Sequence, residues 1–322
     1  MTMRYHRAMA DYSNDYQVTY NGQAQTCTLR FRCFDTPNAV TVHGCGQPDF
    51  AIEQTLCEVR RACLELHRLW SFSLPESDVS RVNGACERVR VDARTVELFE
   101  AMKRFNDDEP SFDFTVGPVS YLWKHASAVP SENEIASALD HVGASKIAVE
   151  DGEVLKGDPL VKVDVGGAAK GFAADLVAGL LRDANVECAD VDLGGNLFML
   201  GSHPSGRPWR VAVRVPEGIE AKPAVLEVRD KSVVTSGSYE RFVEIDGTRY
   251  AHIVDARTGW PVQSDVVSAT VVAKSSLEAD MLATTALMAG TEGIGALAER
   301  HAECGFVVIA EGGTVTKHGS VA

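Results

Sequence analysis

The chain has 322 residues, 45% of them hydrophobic and 24% charged, and its 45 acidic against 31 basic side chains give a formal net charge of −14. That is the composition of a folded globular protein able to bury one large core or two modest ones. The negative balance excludes a nucleic-acid surface and basic attachment to anionic lipid, so small molecules or other proteins are the expected partners. Met1 to Gln17 has neither an apolar export segment nor a small-residue cleavage site, and no lipid-attachment cysteine follows. No later run suggests a transmembrane helix, so no membrane insertion is expected. Eight cysteines occur (Cys27, Cys33, Cys45, Cys57, Cys63, Cys86, Cys188, Cys304) without a C-x-x-C pair. Zinc is therefore not expected, and the cysteines read as reduced thiols of a cytoplasmic protein.

Residues 1–25 are polar and aperiodic and read as a loose N-terminal arm, with a single domain from 26 to 322. From Cys27 to His43 the β-branched residues alternate as in a strand pair. Asp49 then caps a long amphipathic helix whose apolar positions include Ile52, Leu56, Val59, Cys63, Leu66 and Leu69. Asp92–Phe105 reads as a second helix, and Ser131 with Glu134 forms a capping box for a third that ends near Gly143. Short strands are predicted at Lys146–Val149, Val154–Leu155 and Val161–Val165, and a helix at Ala169–Asp183. Further strands are predicted at Ala189–Leu193, Trp209–Val215, Ala224–Val228, Ser232–Thr235, Phe242–Ile245, Tyr250–Ile253 and Ser268–Ala273. Ser275 and Glu278 open another helix to about Met288. A last helix precedes the strand pair Gly305–Ala310 and Thr314–His318. Strands cluster instead of alternating with helices, so the predicted class is α+β, with mixed or antiparallel strands and flanking helices.

Several segments carry residues suited to chemistry. Asp164-Val165-Gly166-Gly167-Ala168-Ala169-Lys170-Gly171-Phe172-Ala173-Ala174-Asp175 places an acid, a glycine turn and a helix start in sequence. It is neither a Walker A loop nor a dinucleotide fingerprint. It suits backbone groups brought up to a phosphate, with Lys170 as countercharge, and equally a plain strand-to-helix connection. Asp280 and Thr284 stand at i and i+4, one turn apart on one helix face. They suit a hard cation such as Mg²⁺, or a solvated face with the threonine bonded to its own turn. His252, at a strand end before Asp255, suits a general base or a structural histidine. Thr235-Ser236-Gly237-Ser238-Tyr239-Glu240-Arg241 offers hydroxyls beside a flexible glycine, and Phe112 in Ser111-Phe112-Asp113-Phe114-Thr115-Val116-Gly117-Pro118 could rest on a ring system.

Together and in this order these segments resemble the ApbE family, the FAD:protein FMN transferases. Asp192-Leu193-Gly194-Gly195-Asn196, Leu122-Trp123 and His252-Ile253-Val254-Asp255-Ala256-Arg257-Thr258-Gly259 complete the match, which covers about residues 28–310. The resemblance implies an enzyme that moves the FMN half of FAD onto a threonine or serine hydroxyl of a client flavoprotein, releasing AMP, with Mg²⁺ at the pyrophosphate. Carried over by motif, Asp280 and Thr284 are side-chain ligands of Mg²⁺ and Gly167 supplies a carbonyl. Ser111, Phe112, Asp113, Asp164, Lys170 and Val254 line the flavin nucleotide site, Phe34 is a further flavin contact, and His252 deprotonates the client's hydroxyl.

The chain departs from the family pattern at three places. Phe34-Asp35-Thr36 stands where Met-Gly-Thr is frequent, Leu74 where a tyrosine is common, and Ala256 where proline is usual. Many relatives are exported lipoproteins, whereas here the expected clients are cytoplasmic or face the cytoplasm. Two other activities fit the same residues: hydrolysis of FAD to FMN and AMP with water as acceptor, and flavin carriage without catalysis.

Overall fold

The computed structural model describes residues 15–45, 48–239 and 242–321. In chain order the strands β1 (Tyr16–Asn21), β2 (Thr26–Cys33) and β3 (Thr36–His43) are followed by α1 (Phe50–Trp70), α2 (Asp78–Gly84), β4 (Arg88–Arg90), α3 (Ala93–Asp108), α4 (Gly117–Lys124) and α5 (Glu132–Leu139). Next come β5 (Ile147–Glu150), β6 (Glu153–Lys156), α6 (Ala169–Asp183), β7 (Cys188–Leu193), β8 (Asn196–Gly201), β9 (Trp209–Ala212) and β10 (Val225–Val228). The chain closes with β11 (Lys231–Gly237), β12 (Phe242–Ile245), β13 (Thr248–Ala251), β14 (Val266–Ala273), α7 (Ser276–Arg300), β15 (Gly305–Ala310) and β16 (Val315–Gly319).

The fold centres on a nine-stranded sheet in the order β1-β2-β3-β7-β8-β11-β14-β15-β16. Every neighbouring pair in it is antiparallel. One face packs on α1, α6 and α7, and the other is covered by the β9–β10 hairpin. Side chains sort by the two-residue period of a strand. Phe198 and Leu200 of β8 enter the core under the helices while Met199 between them enters the core under the hairpin, and Phe306 and Val307 of β15 divide the same way. Burial on both faces is why β14 and β15 read as continuous apolar runs. This clustered arrangement is the α+β architecture that the sequence predicts. A smaller core of Val119, Trp123, Ile135, Ile245 and Val254 joins α4 and α5 to the chain around β12 and β13.

Local rules place the helices. Asp49 accepts from the Ala51 N–H to cap α1, Asp92 caps α3, and Ser131 and Glu134 complete the reciprocal capping box of α5. Ser275 caps α7, which runs on to Arg300 with its helical backbone broken at Gly290, where φ is 67°. The kink separates the two helices expected there. By length and composition α7 could cross a membrane, contrary to expectation, but here it is half buried, packed on β11, β14 and α6.

The structure corrects other expectations. Tyr16–Asn21 of the supposed arm is edge strand β1, paired with β2, while residues 1–14 lie outside the described residues. α5 ends at Leu139, short of Gly143, β9 ends at Ala212, and β13 is Thr248–Ala251. Val161–Val165 is not a strand: one parallel bridge, Val116 to Lys162, is all the ladder it has. The Asn83 side chain takes the place of a neighbour there, since the Val163 N–H donates to Asn83 Oδ1 at 2.7 Å and Asn83 Nδ2 donates to the Val163 carbonyl at 3.0 Å. That replacement satisfies the backbone and frees the chain to turn at Asp164.

Candidate functional site

α6 and α7 meet at their N-termini, and the contact depends on Gly171. A methyl group at that position would stand 2.5 Å from the Ser276 carbonyl oxygen and 2.8 Å from Asp280 Cβ, so only glycine permits the approach. No side chain of its own caps α6. Instead the Gly171 N–H, one of the donors a helix leaves unpaired in its first turn, donates to Asp280 Oδ2 at 2.9 Å. Asp280 is 2% exposed, and the positive end of α6 and the Lys170 ammonium, 3.6 Å from Oδ1, offset its buried charge. Asp175, one turn further along α6, accepts from Ser275 Oγ at 2.7 Å and from the Ser276 and Leu277 N–H groups at 2.7 and 3.0 Å. The two helices therefore cap each other with carboxylates.

Thr284 lies on the Asp280 side of α7. Its Oγ1 is 3.4 Å from the Asp280 carbonyl and 3.4 Å from Ser236 Oγ at the end of β11. Both contacts are at the long limit of hydrogen bonding, so the hydroxyl is weakly engaged. Gly167 closes the group: a methyl there would lie 3.3 Å from Thr284 Oγ1 and 3.1 Å from the Phe112 ring. Carboxylate, hydroxyl and glycine backbone thus converge from two elements on one spot, with Lys170 as the resident cation.

The Phe112 segment is fixed independently. The Phe112 N–H donates to the Glu109 carbonyl at 2.9 Å, Asn106 Nδ2 donates to the Phe112 carbonyl at 2.6 Å, and Asp113 Oδ1 accepts from the Thr115 N–H and hydroxyl at 2.7 and 2.6 Å. The Asp164 N–H donates to the Phe114 carbonyl at 2.7 Å, and Asp164 Oδ1 accepts from the Gly166 N–H at 2.8 Å. Asp113 and Asp164 therefore shape their turns as well as carrying charge. Beneath them Glu109 receives Arg300 at 2.7 Å and His301 at 3.0 Å from the far end of α7. Burial opposes the charge of Glu109, but these partners outweigh it and hold its pKa below the ordinary glutamate value.

His252 is exposed just after β13. The loop that follows is held tightly: the Val262 N–H donates to the Ile253 carbonyl at 2.9 Å, the Gly259 N–H to the Asp255 carbonyl at 2.8 Å, and Trp123 Nε1 to the Gly259 carbonyl at 2.8 Å. Burial raises the cost of ionising Asp255, but its bonds from Arg257 prevail and lower its pKa. Its described bonds hold Arg257 and the turn.

The structure thus brings Phe112, Gly167, Lys170, Asp280 and Thr284 together, with Ser111, Asp113 and Asp164 on the adjoining turns. Val254 is buried with Val119 and Trp123, so its side chain faces a core. Phe34 occupies a two-residue β2–β3 turn with φ 54° and sets its ring edge-on to His67 at 5.9 Å, so its ring contact is to α1 and not to the Asp280 group. Asp35 in the same turn has φ 59°, a conformation that Asp tolerates better than most residues. No separate signal in the sequence marks Ser236 as a neighbour of Thr284, or Asn106, Glu109 and Arg300 as supports; those pairings join residues that the fold alone brings together. Glu240 and Arg241 of the serine motif lie outside the described residues.

Among the described residues no three His, Cys, Asp or Glu side chains gather to hold a metal. The donors that do converge at Asp280 are hard oxygens, the set that Mg²⁺ takes when water and phosphate complete its shell. Two clefts, of about 510 Å³ around Trp209 and about 420 Å³ beside α1, include none of these residues. Convergent chemistry marks the site.

A family model described as the ApbE family matches residues 34–308. A relative, the FAD:protein FMN transferase of Vibrio cholerae, is 33% identical over 263 residues, 79% of each chain. The protein of the same description from Treponema pallidum is 40% identical over 202 residues, 56% of each chain. Among solved structures, flavin transferase ApbE from Vibrio cholerae superposes with a TM-score of 0.81 at 28% identity, covering 92% of this chain and 97% of that one.

Proposed function

The chain belongs to the ApbE family, and from that premise we propose that the Gly167, Asp280 and Thr284 group holds Mg²⁺ at the FAD pyrophosphate while His252 prepares a protein hydroxyl for attack. The reaction itself is transfer of FMN from FAD to a protein. In our reading the acceptor is a threonine or serine in a short Asp/Ser/Thr-rich motif of a client flavoprotein. The observation that carries the site assignment is the buried Asp280 carboxylate, capping α6 and already facing a cation at 3.6 Å, with Gly167 and Thr284 beside it.

Each group has a distinct task. Gly167, Asp280 and Thr284 would hold Mg²⁺, which would supply positive charge to the pyrophosphate. Lys170 exchanges Asp280 for a phosphate oxygen, which keeps its charge paired before and after substrate binds. Phe112 and the turns at Asp113 and Asp164 form the wall for the nucleotide. His252 accepts the hydroxyl proton as the client oxygen bonds to the FMN phosphorus, and the anhydride electrons leave with AMP. The rigid loop after His252 keeps the imidazole in place while its exposure admits a macromolecular acceptor. The free thiols fit a reducing compartment, and we place the reaction in the cytoplasm or facing it.

The test is co-incubation with FAD, Mg²⁺ and a threonine-bearing acceptor flavoprotein, read by intact mass. The acceptor is expected to gain one FMN with equimolar AMP released. Asp280→Ala is expected to abolish this and His252→Ala to slow it by about 10²–10⁴. Free FMN and AMP with no adduct would identify a hydrolase instead.

A further inference from the structure

α4 stands between the nucleotide wall and the histidine loop. Its N-terminus continues the Phe112–Thr115 turn, and the Gly117 N–H donates to the Lys162 carbonyl at 3.2 Å, two residues before Asp164. Its buried face carries Val119 and Trp123, and Trp123 holds the loop after His252 through the Gly259 carbonyl. Its outer face remains. There Tyr121 is 54% exposed, with the His125 ring stacked on it at 4.1 Å and the Lys162 ammonium 4.6 Å from the ring centre. One turn on, the Lys124 ammonium lies 5.9 Å from the ring of Phe72, which is 47% exposed. Among the described residues Lys162 makes no ion pair.

This gathering runs against the rest of the molecule. On a chain of net charge −14, two ammonium groups and an imidazole sit together on exposed aromatic faces. An exposed tyrosine flanked by cations adds little to the fold, whereas aromatic residues are what interfaces concentrate and cations held on their faces attract an acidic partner. The ledge faces outward from α4, while the pyrophosphate has its own cation in Lys170. We propose that Tyr121, Lys124, His125 and Lys162 form the docking surface for an acidic segment of the protein that accepts FMN. This rests on the reading of the protein as an FMN transferase to proteins. The negative net charge repels acidic partners elsewhere, so the ledge also orients them, presenting the acceptor hydroxyl beside the histidine loop.

The test uses fluorescein-labelled peptides with one threonine flanked by Asp/Glu, by Asn/Gln or by Lys, whose binding to the full chain is read by anisotropy without FAD. The Asp/Glu peptide is expected to bind at least about tenfold tighter than the Asn/Gln peptide at low salt, with the margin shrinking as salt rises. The double variant Lys124→Glu, Lys162→Glu is expected to erase the margin and to favour the Lys peptide. Tyr121→Ala, which keeps the charges, is expected to weaken the Asp/Glu peptide by about threefold. FAD affinity, followed by quenching of flavin fluorescence, is expected to be unchanged in both variants. Equal binding of the three peptides, or indifference to charge reversal, overturns the proposal. A parallel loss of FAD affinity overturns it too, by assigning the ledge to the nucleotide. Because the peptide measurement needs no turnover, FMN transfer without the charge preference overturns the docking surface alone, whereas the expected peptide binding without FMN transfer sinks the transferase reading and with it the assignment of the docked segment to an acceptor.

Discussion

Gly171→Ala should unseat the site without altering any group that touches the substrate. The added methyl falls 2.5 Å from the Ser276 carbonyl oxygen, 2.7 Å from Leu277 Cα and 2.8 Å from Asp280 Cβ, and the first two are backbone atoms that cannot swing aside. Ordinary contact begins near 3.4 Å, so α6 and α7 must part by roughly 1 Å. Overpacking of this kind costs about 1–3 kcal/mol. The same movement stretches the Gly171 N–H bond to Asp280, now 2.9 Å, beyond hydrogen-bonding range, which adds about 1.5–3 kcal/mol for a charged acceptor. The better helix propensity of alanine returns about 1 kcal/mol, leaving a net loss of roughly 2–5 kcal/mol. Gly179→Ala is the matched control: it sits in the same helix with nothing within 4 Å of the new methyl, and it should stabilise by up to about 1 kcal/mol. Thermal unfolding of the pair, at roughly 2 °C per kcal/mol for a chain this long, should show a drop of about 4–10 °C for the first and a small rise for the second. FMN transfer by Gly171→Ala should fall about 10²-fold as Asp280 shifts. If Gly171→Ala melts with the wild type and transfers FMN at the same rate, the helix contact does not position Asp280 and the reasoning fails.

Asp175→Ala leaves the Ser276 and Leu277 N–H groups of the first turn of α7 without their acceptor, and urea titration should show a loss of about 1–3 kcal/mol. Glu109→Gln should cost about 1–3 kcal/mol at neutral pH, since it removes the charge that Arg300 and His301 bind. Because the folded pKa of Glu109 is held below the ordinary glutamate value of 4.5, this contribution is fully present above pH 4.5 and is lost as pH falls through the folded value. Urea titrations at pH 7 and at lower pH should therefore find the gap between wild type and variant closing on acidification, and a constant gap would contradict the pairing. Trp123→Phe keeps an aromatic ring but deletes the donor to the Gly259 carbonyl, so transfer should fall several-fold while FAD affinity stays put, measured by kinetics and flavin fluorescence.

The helices were legible where a local rule decides them. Asp49, Asp92 and the Ser131 with Glu134 box mark starts within a few residues of the apolar pattern they introduce, and the structure keeps all three. α4 is not legible, because Val116 offers no side-chain cap and the helix is eight residues long. Val161–Val165 misled because its apolar alternation serves burial on a stretch whose neighbour is a side chain, Asn83, and not a strand. β1 hid in a polar arm because an edge strand buries little of its surface. At the site, the shared face of Asp280 and Thr284 followed from their spacing of four. What bound Asp280 to α6 did not, since Gly171 and Asp280 are 109 positions apart and only the fold joins them. Gly167 and Lys170 enter through the family resemblance, which rests on the order of motifs, and the meeting of α6 and α7 sets Lys170 beside Asp280 and Gly167 beside Thr284.

Where the cation and the pyrophosphate go decides the assignment most directly. A crystal of the protein grown with FAD and Mn²⁺, measured at an anomalous wavelength, should show one strong peak at about 2.0–2.3 Å from an Asp280 carboxylate oxygen, Thr284 Oγ1 and the Gly167 carbonyl. The FAD phosphates should lie beside it and Lys170 should have left Asp280 for them. A peak at other ligands, or FAD bound away from Gly167 with the Lys170 to Asp280 pair still closed, would contradict the assignment.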